Sequence, residues 1–238
     1  MADMEIRHVA LVLFGGSGER FGGSEPKQFV ALGDRPMIAV TLEGLSACPD
    51  IEEIYVVAKT GTVQKTLDVV SHYRIPKVKA IIPGEKTRER SVYEGILYLR
   101  EIGLPGDALV LVHDGDRPLI DPKVVKGNYD AAYKTGAAVT AIPATDSIIA
   151  STYGDKVDHY LPRKEIYLAQ TPQTFRFSIL SSSFEHVAKR NRFDDFTDDA
   201  SLVKSRGHEI AIVPGSRENV KITTRFDLAS YFEGRRRL

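Results

Sequence analysis

The sequence predicts an α/β fold in which a mostly parallel sheet is flanked by helices on both faces. Two observations predict it. Short apolar runs of strand length recur between residues 9 and 142, and segments with helical spacing of apolar residues lie between them. Apart from Lys79 and Thr140 the runs are apolar rather than alternating, which is the signature of strands buried on both faces, as in parallel sheets.

The elements follow in order. Residues 9–14 form the first strand, which runs into glycines. Residues 54–58, 78–82, 108–112 and 137–142 are the next four strands. Helical spacing covers 36–45 and 62–73. Over 91–99 it places Val92, Ile96 and Leu99 on one face. The segment 122–134 opens with Pro122, whose missing N–H costs nothing at a helix entry. In such sheets ligands sit beyond the carboxyl ends of the strands, so the loops after Phe14, Ile82, Val112 and Ile142 should build one site. The rhythm breaks at Ala144. Polar and charged residues then predict an extended arm over 144–174 that leaves the body, with 167–170 strand-like. Helices are expected at 176–189, 198–205 and 226–232, and strands at 209–213 and 220–223. The whole chain, 1–238, reads as one domain with the arm inside it.

Composition narrows the function classes. Lys plus Arg number 32, as do Asp plus Glu, so the formal net charge is zero. That argues against a general nucleic-acid binder or a membrane-surface binder, either of which would show a basic excess. Cys48 is the only cysteine and cannot form an intrachain disulfide, so it is expected as a small buried apolar group in a reducing compartment. Residues 1–8 are charged and lack the apolar region of a secretory leader. No apolar run approaches the ~20 residues needed to span a bilayer. The expected location is the cytoplasm.

Gly15-Gly16-Ser17-Gly18-Glu19-Arg20-Phe21-Gly22 follows the first strand. Glycines let a backbone approach a ligand closely, and successive N–H groups can cradle an anion. A dinucleotide fingerprint starting at Gly16 would need a small residue at Phe21 and an acid where the second strand ends at Lys59. A P-loop would need Lys where Ser24 follows Gly23. An NAD(P)-dependent oxidoreductase is therefore disfavoured. Arg20 and Lys27 flank the loop and suit a triphosphate, Arg as a planar fork and Lys as a movable point charge. His113 reads as a hydrogen-bonded structural histidine, since magnesium prefers oxygen. Thr197 reads as a helix cap, with Asp198 and Asp199 favouring the helix N-terminus.

Six segments in order now carry a resemblance. Gly15 to Arg20 with Pro26-Lys27-Gln28 resembles the signature of sugar-phosphate nucleotidyltransferases. R-E-R-S-V-Y-E-G (88–95), V-H-D-G-D-R-P (112–118), L-A-Q-T-P-Q-T-F (168–175), T-D-D-A-S-L (197–202) and N-V-K-I-T (219–223) narrow it. Together they are similar to the family of 2-C-methyl-D-erythritol 4-phosphate cytidylyltransferases and the related ribitol-5-phosphate cytidylyltransferases. The resemblance implies a Rossmann-like sheet of nucleotide-diphospho-sugar transferase type, with a protruding dimerisation arm. It implies transfer of CMP from CTP to a small polyol phosphate with magnesium as cofactor, in a homodimer joined through the arm.

The resemblance also implies roles. The backbone of Phe14, Gly15, Gly16, Ser17 and Gly18 would hold the nucleotide, and Gly84, Glu85 and Ser91 would recognise cytidine. Arg20 and Lys27 would hold the triphosphate and, with Lys221, form the catalytic cations. Asp114 would ligate the metal beside the acceptor. Arg117, Ser147 and Lys221 would face the acceptor, and Arg163 and Thr171 would lie in the arm and complete the partner's site. The chain departs from the pattern in places. Phe14 stands where Ala is common, Glu85 where a second Gly is usual, and Ser147 where Thr is frequent. Ile149 and Ala150 follow Ile148 where many erythritol-phosphate enzymes have Lys, which leans toward ribitol 5-phosphate. Thr197-Asp198-Asp199 leans toward the erythritol phosphate.

Overall fold

The structure, a computed structural model, describes residues 6–15 and 26–235. Its elements are β1 (His8–Phe14), β2 (Ala31–Leu32), β3 (Arg35–Pro36), α1 (Met37–Ala47), β4 (Glu53–Lys59), α2 (Val63–His72) and β5 (Val78–Gly84). There follow α3 (Arg88–Glu101), β6 (Leu109–Asp114), α4 (Pro122–Thr135) and β7 (Ala137–Pro143). The second half holds β8 (Ile148–Ala150), β9 (His159–Leu161), β10 (Tyr167–Arg176), α5 (Phe177–Ala188), α6 (Asp199–Ser205), β11 (Ala211–Pro214) and α7 (Arg225–Arg235).

Among the described residues the main sheet has seven strands in the order β11-β7-β10-β6-β1-β4-β5. All neighbouring pairs are parallel except those of β10, which runs antiparallel between β6 and β7. The alternation of β1 divides the core. Val9, Leu11 and Leu13 pack with Val92, Ile96 and Leu99 of α3 and with α5 and α6. Ala10, Val12 and Phe14 pack on the other face with α1 and α4, through Ile38, Leu42, Val125 and Tyr129. Strands buried on both faces explain why the sequence runs were apolar without alternation. Gly95 sets the depth of α3: a Cβ there would stand 2.6 Å from Leu11 Cδ1.

The segment expected to leave the body until residue 174 rejoins it at Tyr167. Within this segment a two-stranded antiparallel hairpin, β8 with β9, lies outside the main sheet. From Gln170 onward β10 is buried, although it is rich in Gln and Thr. These side chains find partners: Thr171 Oγ1 accepts the Asp114 N–H at 3.1 Å, and Gln173 Oε1 accepts the Ala200 N–H at 2.9 Å. The register of β10 against β7 shifts between Gln170 and Gln173. The strand expected at 220–223 is irregular chain instead. It crosses the strand ends rather than lying along one, held by the Ile222 N–H on the Asp116 carbonyl at 2.8 Å and by Ile222 packing on Leu32, Met37 and Tyr231.

Candidate active site

The described part of the site lies at the carboxyl ends of β1, β5 and β6, where the topology requires it. Beyond β5, Thr87 caps α3 by accepting the Arg90 N–H, which starts the helix three residues before the apolar pattern does. Ser91 in the first turn is buried; its hydroxyl accepts the Glu85 N–H at 3.0 Å and donates to the Thr87 carbonyl at 2.8 Å. Gly15 and Gly84 both abut it, since a Cβ on either would stand 3.1 Å or 3.0 Å from its oxygen. Gly15, Gly84, Glu85 and Ser91 are thus brought together. Gly16, Ser17, Gly18 and Arg20 lie outside the described residues.

Phe14 belongs to the other face. Its ring is buried with Phe29 and Ile38, across the sheet from Ser91. β1 alternation turns the Phe14 side chain away from α3 and Ser91. The ring lies on Gly115, where an added Cβ would meet its Cε1 at 2.2 Å. Gly115→Ala is therefore expected to destabilise the protein by about 1–3 kcal/mol in urea unfolding, the usual cost of overpacking. Phe14→Leu in the same chain should recover part of that loss. A Gly115→Ala variant as stable as its parent would show that the ring and glycine do not compete for space.

Asp114, at the end of β6, is 7% exposed and gathers cations. Arg88 Nε donates to its Oδ1 at 2.9 Å, and Lys221 Nζ donates to its Oδ2 at 2.7 Å. Burial disfavours the Asp114 charge, but Arg88 and Lys221 outweigh burial and hold its carboxyl well below the usual carboxylate range. Arg88 also forks onto Asp199, Nη1 to Oδ1 at 3.0 Å and Nη2 to Oδ2 at 2.7 Å. Burial works against the Arg88 charge too; the two carboxylates outweigh it and hold the guanidinium well above its ordinary value. Lys27, opening a single 3-10 turn, donates to Asp116 Oδ2 at 2.6 Å. Arg117 Nη1 donates to the Asn219 carbonyl at 2.7 Å.

Lys27, Asp114, Arg117 and Lys221 therefore converge on one edge. Ser147 and Arg163 do not join this network among the described residues. Both are exposed at the foot of the hairpin, where Arg163 Nη1 donates to the Thr145 carbonyl at 3.0 Å. Thr171, expected in the arm, sits instead in the main sheet, because its hydroxyl serves the Asp114 backbone. The cap of α6 is Asp198, not Thr197: Asp198 Oδ1 accepts the Ser201 N–H at 2.8 Å, and the Ser201 hydroxyl returns to complete a capping box. That frees Asp199 for Arg88. His113 is structural, as expected. Its Nε2 lies 3.0 Å from the Arg117 carbonyl, and burial lowers its pKa to about 4, so the ring is neutral. Sequence reasoning gave no role to Arg88, Asp116 or Asn219. Their signal was position alone, since each stands inside one of the recognised motifs.

A mostly parallel sheet whose strand ends gather four cations, Lys27, Arg88, Arg117 and Lys221, with the buried carboxylate of Asp114 is the architecture of a nucleotidyltransferase. The chain belongs to the 2-C-methyl-D-erythritol 4-phosphate cytidylyltransferase (IspD) family, whose model matches residues 8–232. A relative bearing that name in Syntrophus aciditrophicus is 36% identical over 228 residues, 94% of each chain. Another, in Geotalea uraniireducens, is 37% identical over 225 residues, again 94% of each. The crystal structure of the Francisella tularensis 2-C-methyl-D-erythritol 4-phosphate cytidylyltransferase superposes with a TM-score of 0.81 at 26% identity, over 95% of this chain and 99% of that one. The chain is a CTP-using cytidylyltransferase. No helix among the described residues is long and apolar enough to cross a membrane.

Proposed function

We propose that this protein transfers CMP from CTP to 2-C-methyl-D-erythritol 4-phosphate and releases pyrophosphate, as a step toward isoprenoid precursors in the cytoplasm. The observation that carries the reading is the clamp on Asp114, with Lys221 on one oxygen, Arg88 on the other, and Lys27 anchored one residue beyond the adjacent glycine. A phosphate monoester is largely dianionic at neutral pH, its second pKa being ~6, and needs no general base to attack. An acceptor phosphate oxygen forms a bond to the α-phosphorus while the bond from that phosphorus to the bridging β-phosphate oxygen breaks, and pyrophosphate leaves. The obstacle is mutual repulsion of two anions and charge on the transferring group, so positioning and fixed positive charge supply the catalysis.

Lys27 and Lys221 flank the α-phosphate in this reading, and Arg20 with Lys27 holds the triphosphate. The loop from Phe14 through Gly18 presents its amides to the nucleotide, while Gly84, Glu85 and Ser91 read the cytosine. Arg117 and Ser147 receive the acceptor. Asp114 is a hard oxygen donor that would ligate a magnesium ion through the lone pairs left by its contacts with Arg88 and Lys221. Magnesium bound mainly by water and substrate phosphates needs only one or two carboxylates. When bound, it neutralises phosphate charge.

The protein acts as a homodimer through the hairpin arm, which carries Arg163 toward the partner's site. In support, the arm exposes large apolar side chains, with Tyr153 at 90% and Tyr160 at 70%. Sedimentation at monomer mass would remove that part. The activity is tested by pyrophosphate release with CTP, magnesium and one acceptor at a time, with UTP, ATP and GTP as nucleotide controls. The expected result is turnover with CTP and the erythritol phosphate. Faster turnover of ribitol 5-phosphate would move the acceptor assignment, and no release with either would overturn the reading.

A further inference from the structure

Lys27 and Lys221 are far apart in the chain, yet both are tied to the short stretch just beyond β6. Lys221 holds the Asp114 side chain. Lys27 holds the Asp116 side chain, and the Asp116 carbonyl accepts the N–H of Ile222, the residue after Lys221. Asp116 is thus fastened to one lysine through its carboxylate and to the chain bearing the other through its backbone. The stretch itself is firmly held. The Asp114 N–H donates to Thr171 Oγ1, and the Gly115 N–H to the Leu13 carbonyl at 2.9 Å. The Gly115 carbonyl accepts from Thr41 Oγ1 at 2.8 Å.

We propose that Asp116 is a positioning residue for cytidylyl transfer: it fixes the Lys27 ammonium at a set distance from Lys221, so that both cations meet the α-phosphate together. The inference rests on the reading of Lys27 and Lys221 as phosphate-holding groups. Lys27 and Asp116 side chains are each only 13% exposed, so their pair is not one of the solvated surface pairs that contribute little. Lysine is a flexible stem that loses rotamer freedom when ordered. A carboxylate at 2.6 Å imposes that order before substrate arrives. An ammonium has three donors, and one spent on Asp116 leaves two for phosphate oxygens. Lys27 can therefore bind a phosphate without leaving Asp116, which favours positioning over shielding.

The experiment is steady-state pyrophosphate release by the full chain with Asp116→Asn, which is isosteric, and Asp116→Ala, each also combined with Lys27→Ala. The expected result is a fall in kcat of about ten- to a hundredfold. The KM for CTP should stay unchanged or drop, because a negative charge has left the triphosphate site. In the Lys27→Ala background, Asp116→Asn should cost less than about twofold more, since it acts through a lysine already removed. A kcat near or above the parent value in both single variants overturns the inference, and a rise would mark Asp116 as a shield instead. An undiminished loss in the Lys27→Ala background overturns it as well, by showing a role in the fold alone. If Lys27→Ala turns over normally, the phosphate-holding reading falls with it. If Lys27→Ala fails while the Asp116 variants do not, this inference alone is lost.

Discussion

Lys221→Ala lowers turnover with CTP by about 10²–10³-fold, the usual effect of removing one preorganised partner of transition-state charge. The structure separates this from a folding defect. Lys221 lies in irregular chain, its side chain is 37% exposed, and its pair with Asp114 is the partly solvated one of the two on that carboxylate. Arg88 remains on Asp114 Oδ1 when Lys221 is gone, so Asp114 stays charged and in place. Thermal unfolding should move little, while pyrophosphate release falls. Lys221→Arg should recover only part of the rate, because a planar fork cannot occupy the place of a compact ammonium. Turnover of Lys221→Ala within about tenfold of the parent would place the lysine outside the reacting group and leave the cation pair without one member.

Much of this arrangement is legible in the sequence, and the reason is physical. The strands β1, β4, β5, β6 and β7 each announce themselves as apolar runs because helices cover both faces of the sheet. The edge of the site follows from their direction. β10 was legible only in its first residues, because a buried stretch that carries Gln170, Thr171 and Gln173 does not look like core. Its burial is tolerable because the polar groups are spent on Asp114, Asp198 and the start of α6. The segment 220–223 fails in the opposite sense. Its β-branched alternation fits a strand, but it spans the strand ends, where one backbone bond to Asp116 replaces a ladder. The family resemblance implied that Lys27, Asp114, Arg117 and Lys221 share one site, yet it could not show which carboxylate holds which cation. That is decided by long-range packing, such as the approach of α6 to the start of α3.

That approach carries the second large effect. Asp199 is fully buried, and burial alone pushes its carboxyl up, yet both of its oxygens are taken by Arg88. Asp198 does the capping, with Gln173 Nε2 on its Oδ2 at 2.8 Å, so Asp199 is left free to face Arg88. Asp199→Ala would leave the Arg88 guanidinium, its side chain 23% exposed, with Asp114 as its sole carboxylate partner among the described residues. Breaking a buried pair by deleting one partner costs about 3–5 kcal/mol, far more than the pair's net contribution. The expected midpoint shift in urea is correspondingly large. Arg88→Met together with Asp199→Leu should lose less stability than Asp199→Ala alone, since no unpaired charge remains inside. The same double variant should still turn over poorly, because Asp114 has lost its buried cation. A loss for Asp199→Ala under about 1 kcal/mol would mean that water replaces Asp199 at Arg88 without cost, and that the fork on Asp199 is not what orients Arg88 toward Asp114.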